Sequence, residues 1–191
     1  TAKERKLIDE EMQVIQNVNI LFDSLKQEYP NVPITGSYSN GNLHSEIEQI
    51  VEVQKIDLIV MGSYGASGKK EYFIGSNTQK VVRSVHVPVL VIKEVVDTLA
   101  FKRAVFASSF SESEKTAFQY FINFLKPFNP VLHLVYVNTD ALWGLPYAFV
   151  KDAMKDFEAL CPFESQLHFL KDFSVERGVR HIADEIKADL I

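Results

Sequence analysis

Three glycines at 62, 65 and 68 fall within seven residues, and a Gly75-Ser76-Asn77 triplet follows them. Glycine carries no β-carbon, so such a loop lets backbone N–H groups converge on a bound group at close range. Ser76 or Asn77 can cap a helix, and a helix N-terminus adds unpaired donors and the positive end of a dipole. The chemistry these residue types support is anion binding, phosphate above all. Lys69 and Lys70 can neutralise phosphate, or serve only as solvated loop lysines. Two familiar phosphate loops do not fit. A P-loop ends in Gly-Lys-Ser/Thr after a first glycine and four residues. Here Gly68-Lys69 has Ser63 at the place of that first glycine and Lys70 at the place of the hydroxyl. The dinucleotide fingerprint puts one residue between its first glycines, and Gly62 and Gly65 are separated by two.

The loop must be aimed by the elements around it. Asp57–Met61 is a short apolar run closed by Gly62, which fits a strand buried on both faces. A helix is expected from Gly75-Ser76-Asn77 to about Ser84. Val87–Ile92, with Pro88 near its start, reads as a buried or edge strand.

Strand, glycine loop, helix and strand in this order resemble the universal stress protein family. The residues that carry the resemblance are Gly62, two residues, Gly65, nine residues and Gly75-Ser76, with the apolar strand before them and Pro88–Lys93 after them. The resemblance implies a doubly wound parallel α/β sandwich, Rossmann-like and of the adenine nucleotide alpha hydrolase-like type. It implies a cytoplasmic stress-response module that binds ATP or a related adenine nucleotide, with Mg as the ion such a ligand can bring. The nucleotide site would comprise Met61, Gly62, Gly65, Gly75, Ser76 and Asn77. Phosphates would rest on the backbone at Gly65 and Ser76, and Met61 and Gly62 would wall the base side. No catalysis is expected. The alternatives are a nucleotide-free dimerisation or interaction module and a slow ATP-hydrolysing or adenylyl-transfer enzyme, for which Glu71 is the only carboxylate in the loop region.

Composition bounds the classes. Hydrophobic residues make up 47% of the 191, enough for a packed core, and a net charge of -5 gives no electrostatic support to nucleic-acid binding. The single cysteine, Cys161, excludes an internal disulfide and agrees with a reducing compartment. No apolar run approaches the ~20 residues of a membrane span. Residues 3–29 read as one amphipathic helix whose stripe, Leu7, Ile8, Met12, Ile15, Val18, Phe22 and Leu25, is expected to be core. A strand at 32–37 and a helix at about 45–55 should follow. Beyond a linker at 94–100, strands are expected at 104–107, 131–137 and 166–170, and helices at about 112–126, 147–160 and 175–187.

The sequence repeats itself. Aligning Asp57-Leu58-Ile59 with Asp189-Leu190-Ile191, an offset of 132 residues, also aligns Lys55 with Lys187 and Ile50 with Ile182. That offset is the size of one α/β domain. Residues 1–98 then form the back part of a first unit, from long helix to final strand, and 99–191 the front part of a second. A tandem protein of which this is a piece is the expectation, and a permuted single domain the alternative.

In the resembled family the first strand ends in a proline and an Asp that contacts the base and ribose. The matching positions here are Ala107 and Ser109, so Ser109, with Val137, marks the base and ribose side of the second unit. A serine cannot clamp two ribose hydroxyls as a carboxylate does. On this reading Ser109→Asp should strengthen binding by that unit. His44, His86, His133, His168 and His181 show no metal spacing, and His133 and His168 read as packing residues in strands. Trp143 fits an interface or a core edge. Val87–Ile92, the family's edge strand, is expected to pair with its counterpart in a homodimer or pseudo-dimer.

Overall fold

The computed structural model describes residues 2–39, 41–63, 75–93, 99–139 and 146–191. In chain order these contain helices α1 (Ala2–Glu28) and α2 (Leu43–Gln54), strand β1 (Ile59–Gly62), helix α3 (Ser76–Ser84), and strands β2 (Val89–Ile92) and β3 (Arg103–Ala107). Helix α4 (Lys115–Leu125), strand β4 (Val131–Asn138), helix α5 (Tyr147–Glu158), strand β5 (Ser165–Lys171) and helix α6 (Val175–Ile186) follow. The chain divides into two compact units, Thr1–Ile56 with Gln79–Val85, and Asp57–Thr78 with His86–Ile191.

The first unit is helical. α1 stops at Tyr29-Pro30, where proline has no N–H to extend the ladder. The expected core stripe of α1 is corrected in part: Val18, Phe22 and Leu25 are half-buried, but Ile8, Met12 and Ile15 are exposed. A helix buries its stripe against a second layer, and no strand of the described residues belongs to this unit. The expected strand at 32–37 is corrected to irregular chain. Pro33 gives no ladder donor, and among the described residues the segment joins no sheet. Gly36 instead lies against the Phe22 ring, where a β-carbon would collide.

The second unit holds parallel sheets. β1 pairs with β2 from Ile59 opposite Val89 to Gly62 opposite Ile92. The other sheet runs β3-β4-β5, and Leu190 bridges to Ala104 on the remaining edge of β3, also parallel. The spatial order, third strand, second, first, then the chain's last residues, is that of a doubly wound fold, whose switch point lies beside the first strand. Period-two alternation sends successive side chains of β4 to opposite faces. Leu132 and Leu134 join Phe118, Leu125, Met154 and Phe157 from α4 and α5, whereas Val135 joins Val105 and Ile182 on the α6 side. Aromatic rings fill the larger core, with Phe118 and Phe157 centroids 5.2 Å apart.

The repeat is legible in the backbone. Lys55 and Lys187 both end their helices in the left-handed conformation, each at φ 53. Both are followed by the same closing bond: Ile56 N–H donates to Val51 O, and Ala188 N–H to Ala183 O.

Candidate functional site at the carboxyl ends of the strands

At the carboxyl end of β1 and β2 the chain is stitched by backbone bonds. Ser63 N–H donates to Ile92 O at 2.9 Å, and Gly75 N–H donates to Ser63 O at 3.1 Å. The buried Thr78 hydroxyl donates to Gly62 O at 3.2 Å. These bonds bring Met61, Gly62, Gly75, Ser76 and Asn77 to one place. Gly65, with Gly68, Lys69, Lys70 and Glu71, lies outside the described residues, as do Trp143 and the linker residues 94–98.

The electrostatics favour an anion. The first turn of α3 carries no acidic side chain, and its Ser76 and Asn77 are exposed. Its N-terminal N–H groups therefore have no carboxylate of their own helix to neutralise them. Gly62 is exposed, and a β-carbon there would meet nothing within 4 Å. Neither protein packing nor a left-handed backbone requires glycine at this position. Ser63 is buried, and among the described residues its hydroxyl has no hydrogen-bond partner. A buried hydroxyl without a partner is uncommon, and Ser63 Oγ has a hydrogen bond to offer at this strand end. A phosphate-bearing ligand fits this set of donors and this open glycine.

The carboxyl end of β3 is built differently. Ser108, Ser109, Phe110 and Ser111 lead into the short Glu112–Glu114 turn and α4. Glu114 Oε2 accepts from Ser109 Oγ at 2.6 Å, from Ser111 N–H at 2.9 Å and from Ser111 Oγ at 3.0 Å. Burial works to raise the Glu114 pKa, but hydrogen bonds from Ser109, Ser111 and Ser108 outweigh it and hold the carboxyl at about 2. Phe110 occupies a left-handed backbone at φ 59, and its ring is buried 5.2 Å from that of Phe157. Its N–H donates to Ser108 Oγ at 2.8 Å. Ser109 thus stands at the end of β3 as expected, with its hydroxyl proton committed to Glu114. Val137 belongs to the apolar cluster under α6, where a β-carbon on Gly178 would come within 2.7 Å of its Cγ1.

Sequence reasoning missed Glu114, Thr78 and Ser63. The Ser111-x-x-Glu114 spacing of a capping box was a usable signal for the first. It also placed His133 and His168 apart as separate packing residues. The structure puts His133 Nδ1 and His168 Nε2 2.9 Å apart. Among the described residues no cluster of three metal-binding side chains occurs.

The family model described as "Universal stress protein family" matches residues 2–93. Universal stress protein MJ0577 of Methanocaldococcus jannaschii is 43% identical over 53 residues, which are 28% of this chain and 33% of that protein. Universal stress protein MJ0531 of the same organism is 42% identical over 50 residues, 26% of this chain and 29% of that protein. The matched stretches span about a third of those relatives' length. A solved universal stress protein from Archaeoglobus fulgidus superimposes over 95% of this chain and 64% of its own, with a TM-score of 0.71 and 23% identity. That likeness shows a shared α/β fold along nearly the whole chain. Residues 2–93, which hold the long helix, the glycine spacing and the strand after it, match the universal stress protein family.

Proposed function

We propose that the chain is a cytoplasmic, non-enzymatic stress-response module that binds ATP or a related adenine nucleotide at the carboxyl ends of β1 and β2. The observation that carries this reading is the neutral, exposed first turn of α3 joined to a strand that ends in an open glycine. Phosphate oxygens accept from the N–H groups at the start of α3, and Mg travels with the phosphates. Met61, half-buried beside Gly62, supplies an apolar wall for the base. Gly65 completes the backbone cradle on the family pattern. No helix of the described residues is long and apolar enough to cross a membrane.

Calorimetric titration with Mg-ATP, ADP and inorganic triphosphate tests the reading. Saturable binding of ATP that exceeds binding of triphosphate supports an adenine nucleotide site. No heat at millimolar ATP removes it. Gly65→Val and Gly75→Val should each abolish binding without unfolding the protein.

The same reading includes a homodimer or pseudo-dimer through Val87–Ile92. β2 bonds to β1 on one side, and among the described residues its other edge meets no strand. Its four residues, Val89 to Ile92, are only half-buried. An apolar edge with unpaired backbone groups invites a second strand. Sedimentation should give a dimer that Val91→Lys weakens; a monomer at tens of micromolar overturns this part.

A further inference from the structure

Outside the nucleotide site, the fold joins two histidines across neighbouring strands. In the β4–β5 ladder His133 lies opposite Gln166, and Val135 lies opposite His168. Paired residues of parallel strands share a face, so both rings stand on the α6 side of the sheet, with Val105 and Val135. The ring centroids are 5.1 Å apart, and His133 is 4% exposed.

We propose that the His133–His168 contact is an acid-sensitive clasp that holds β5 to β4 beneath α6 and opens when both rings are protonated. A nitrogen–nitrogen contact of 2.9 Å needs one nitrogen bearing hydrogen and one without. Two imidazolium rings carry hydrogen on every nitrogen, so the closed contact tolerates at most one added proton. The opened pair takes two, at the ordinary histidine pKa near 6.5.

The surroundings act in the same sense on balance. Burial lowers the pKa of His133 first, and the neighbouring His168 and Arg103 of β3 lower it further. Arg103 is itself offset by Asp189, 4.0 Å away. Burial also lowers the pKa of His168, against an opposing pull from Glu185 of α6. Depressed pKa values give a stabilising contribution that is complete above about 6.5 and is lost as pH falls through the lowered values. β5 is bonded only to β4 among the described residues, so the contact joins an edge strand to its one strand neighbour.

The test is amide exchange, corrected for the intrinsic pH dependence, together with urea unfolding of the chain between pH 7.5 and 5.0. Once the open pair is protonated, the wild-type equilibrium between closed and open β5 should shift at least about tenfold per pH unit towards open, one proton's worth where the closed pair holds one proton and two where it holds none. β3 should keep its protection. His168→Gln and His133→Asn preserve a polar partner at the contact and remove one titrating ring, and each should flatten this dependence. Equal pH profiles in wild type and both variants overturn the clasp. If neither variant folds, imidazole NMR of the wild type decides: one proton held by the pair at pH 5 supports it, and two rings titrating independently near 6.5 overturn it.

Discussion

The helices that follow β1 and β3 both start beyond the carboxyl end of a parallel strand. They differ in who supplies the negative charge. α3 begins with exposed Ser76 and Asn77 and no acid in its first turn. The turn into α4 begins with Ser111 and is closed by Glu114, whose carboxylate takes three hydrogen bonds from Ser109 and Ser111. One helix start carries no acid in its first turn, and the other is satisfied by a glutamate of its own turn. The lesson is that a fold-level site is a vacancy in the backbone's hydrogen bonding, and a single glutamate can fill it.

The largest expected effect comes from unseating the self-filled loop. Phe110→Ala removes a buried ring that fixes a left-handed backbone and should cost about 3 kcal/mol of stability in urea unfolding. A cost below about 1 kcal/mol would mean that Glu114, not the ring, holds this loop. The open region gives the contrasting result. Gly62→Val puts a β-branched residue into free space at a strand end. Stability should stay within about 0.5 kcal/mol, while ATP affinity falls about tenfold or more, worth about 1.4 kcal/mol. Unchanged affinity would break the comparison at its more important end.

These contrasts were only partly written in the sequence. Strands and helices of the second half follow from runs such as Val131–Val137 and from the stripe Phe118, Ile122 and Leu125, because periodicity and packing agree there. The glycine spacing pointed to the family that matches residues 2–93, while Gly65 and Gly68 lie outside the described residues. The helical stripe of α1 was also read correctly as a stripe, but burial depends on a second layer that local sequence does not contain. Residues 32–37 had strand-forming types without a neighbour to pair with. The His133–His168 contact is a diagonal one within the β4–β5 register, and register is set by the pairing of whole strands. Glu114 was visible as a helix-start residue, yet its reach back to Ser109 depends on the left-handed turn at Phe110.

Glu114→Gln tests the charge in the filled site. Glutamine keeps the shape and loses the charge-assisted bonds, so stability at pH 7 should drop by about 1 kcal/mol, the usual scale of a lost cap. Acid supplies a second readout. A glutamate lowered from its usual 4.5 to about 2 contributes stability that is present above 4.5 and is lost as pH falls towards 2. The variant should have a flatter stability profile over that window. Identical profiles would show that Glu114 is a bystander to the loop.

The smallest expected effect is at Ser109, where the hydrogen bonding argues for a sign opposite to the sequence expectation. On sequence grounds Ser109→Asp restores the family's carboxylate and strengthens binding. Ser109 Oγ, however, donates to Glu114 at 2.6 Å. Aspartate has no proton to give at pH 7 and sets a second negative charge beside the first, which disfavours ionising both. Ser109 is exposed, so the new side chain can turn into solvent and limit the loss to about 0.5 kcal/mol. Ser109→Ala separates the two contributions, since it removes the donor without adding charge. The aspartate variant should be the less stable of the two at low salt and pH 7. The difference should shrink in high salt, where exposed charges are screened, and below about pH 4, where one carboxylate is protonated. Neither variant should gain nucleotide affinity. An aspartate variant more stable than the alanine one at low salt, or one that binds ATP more tightly than wild type, would show that this loop is open after all.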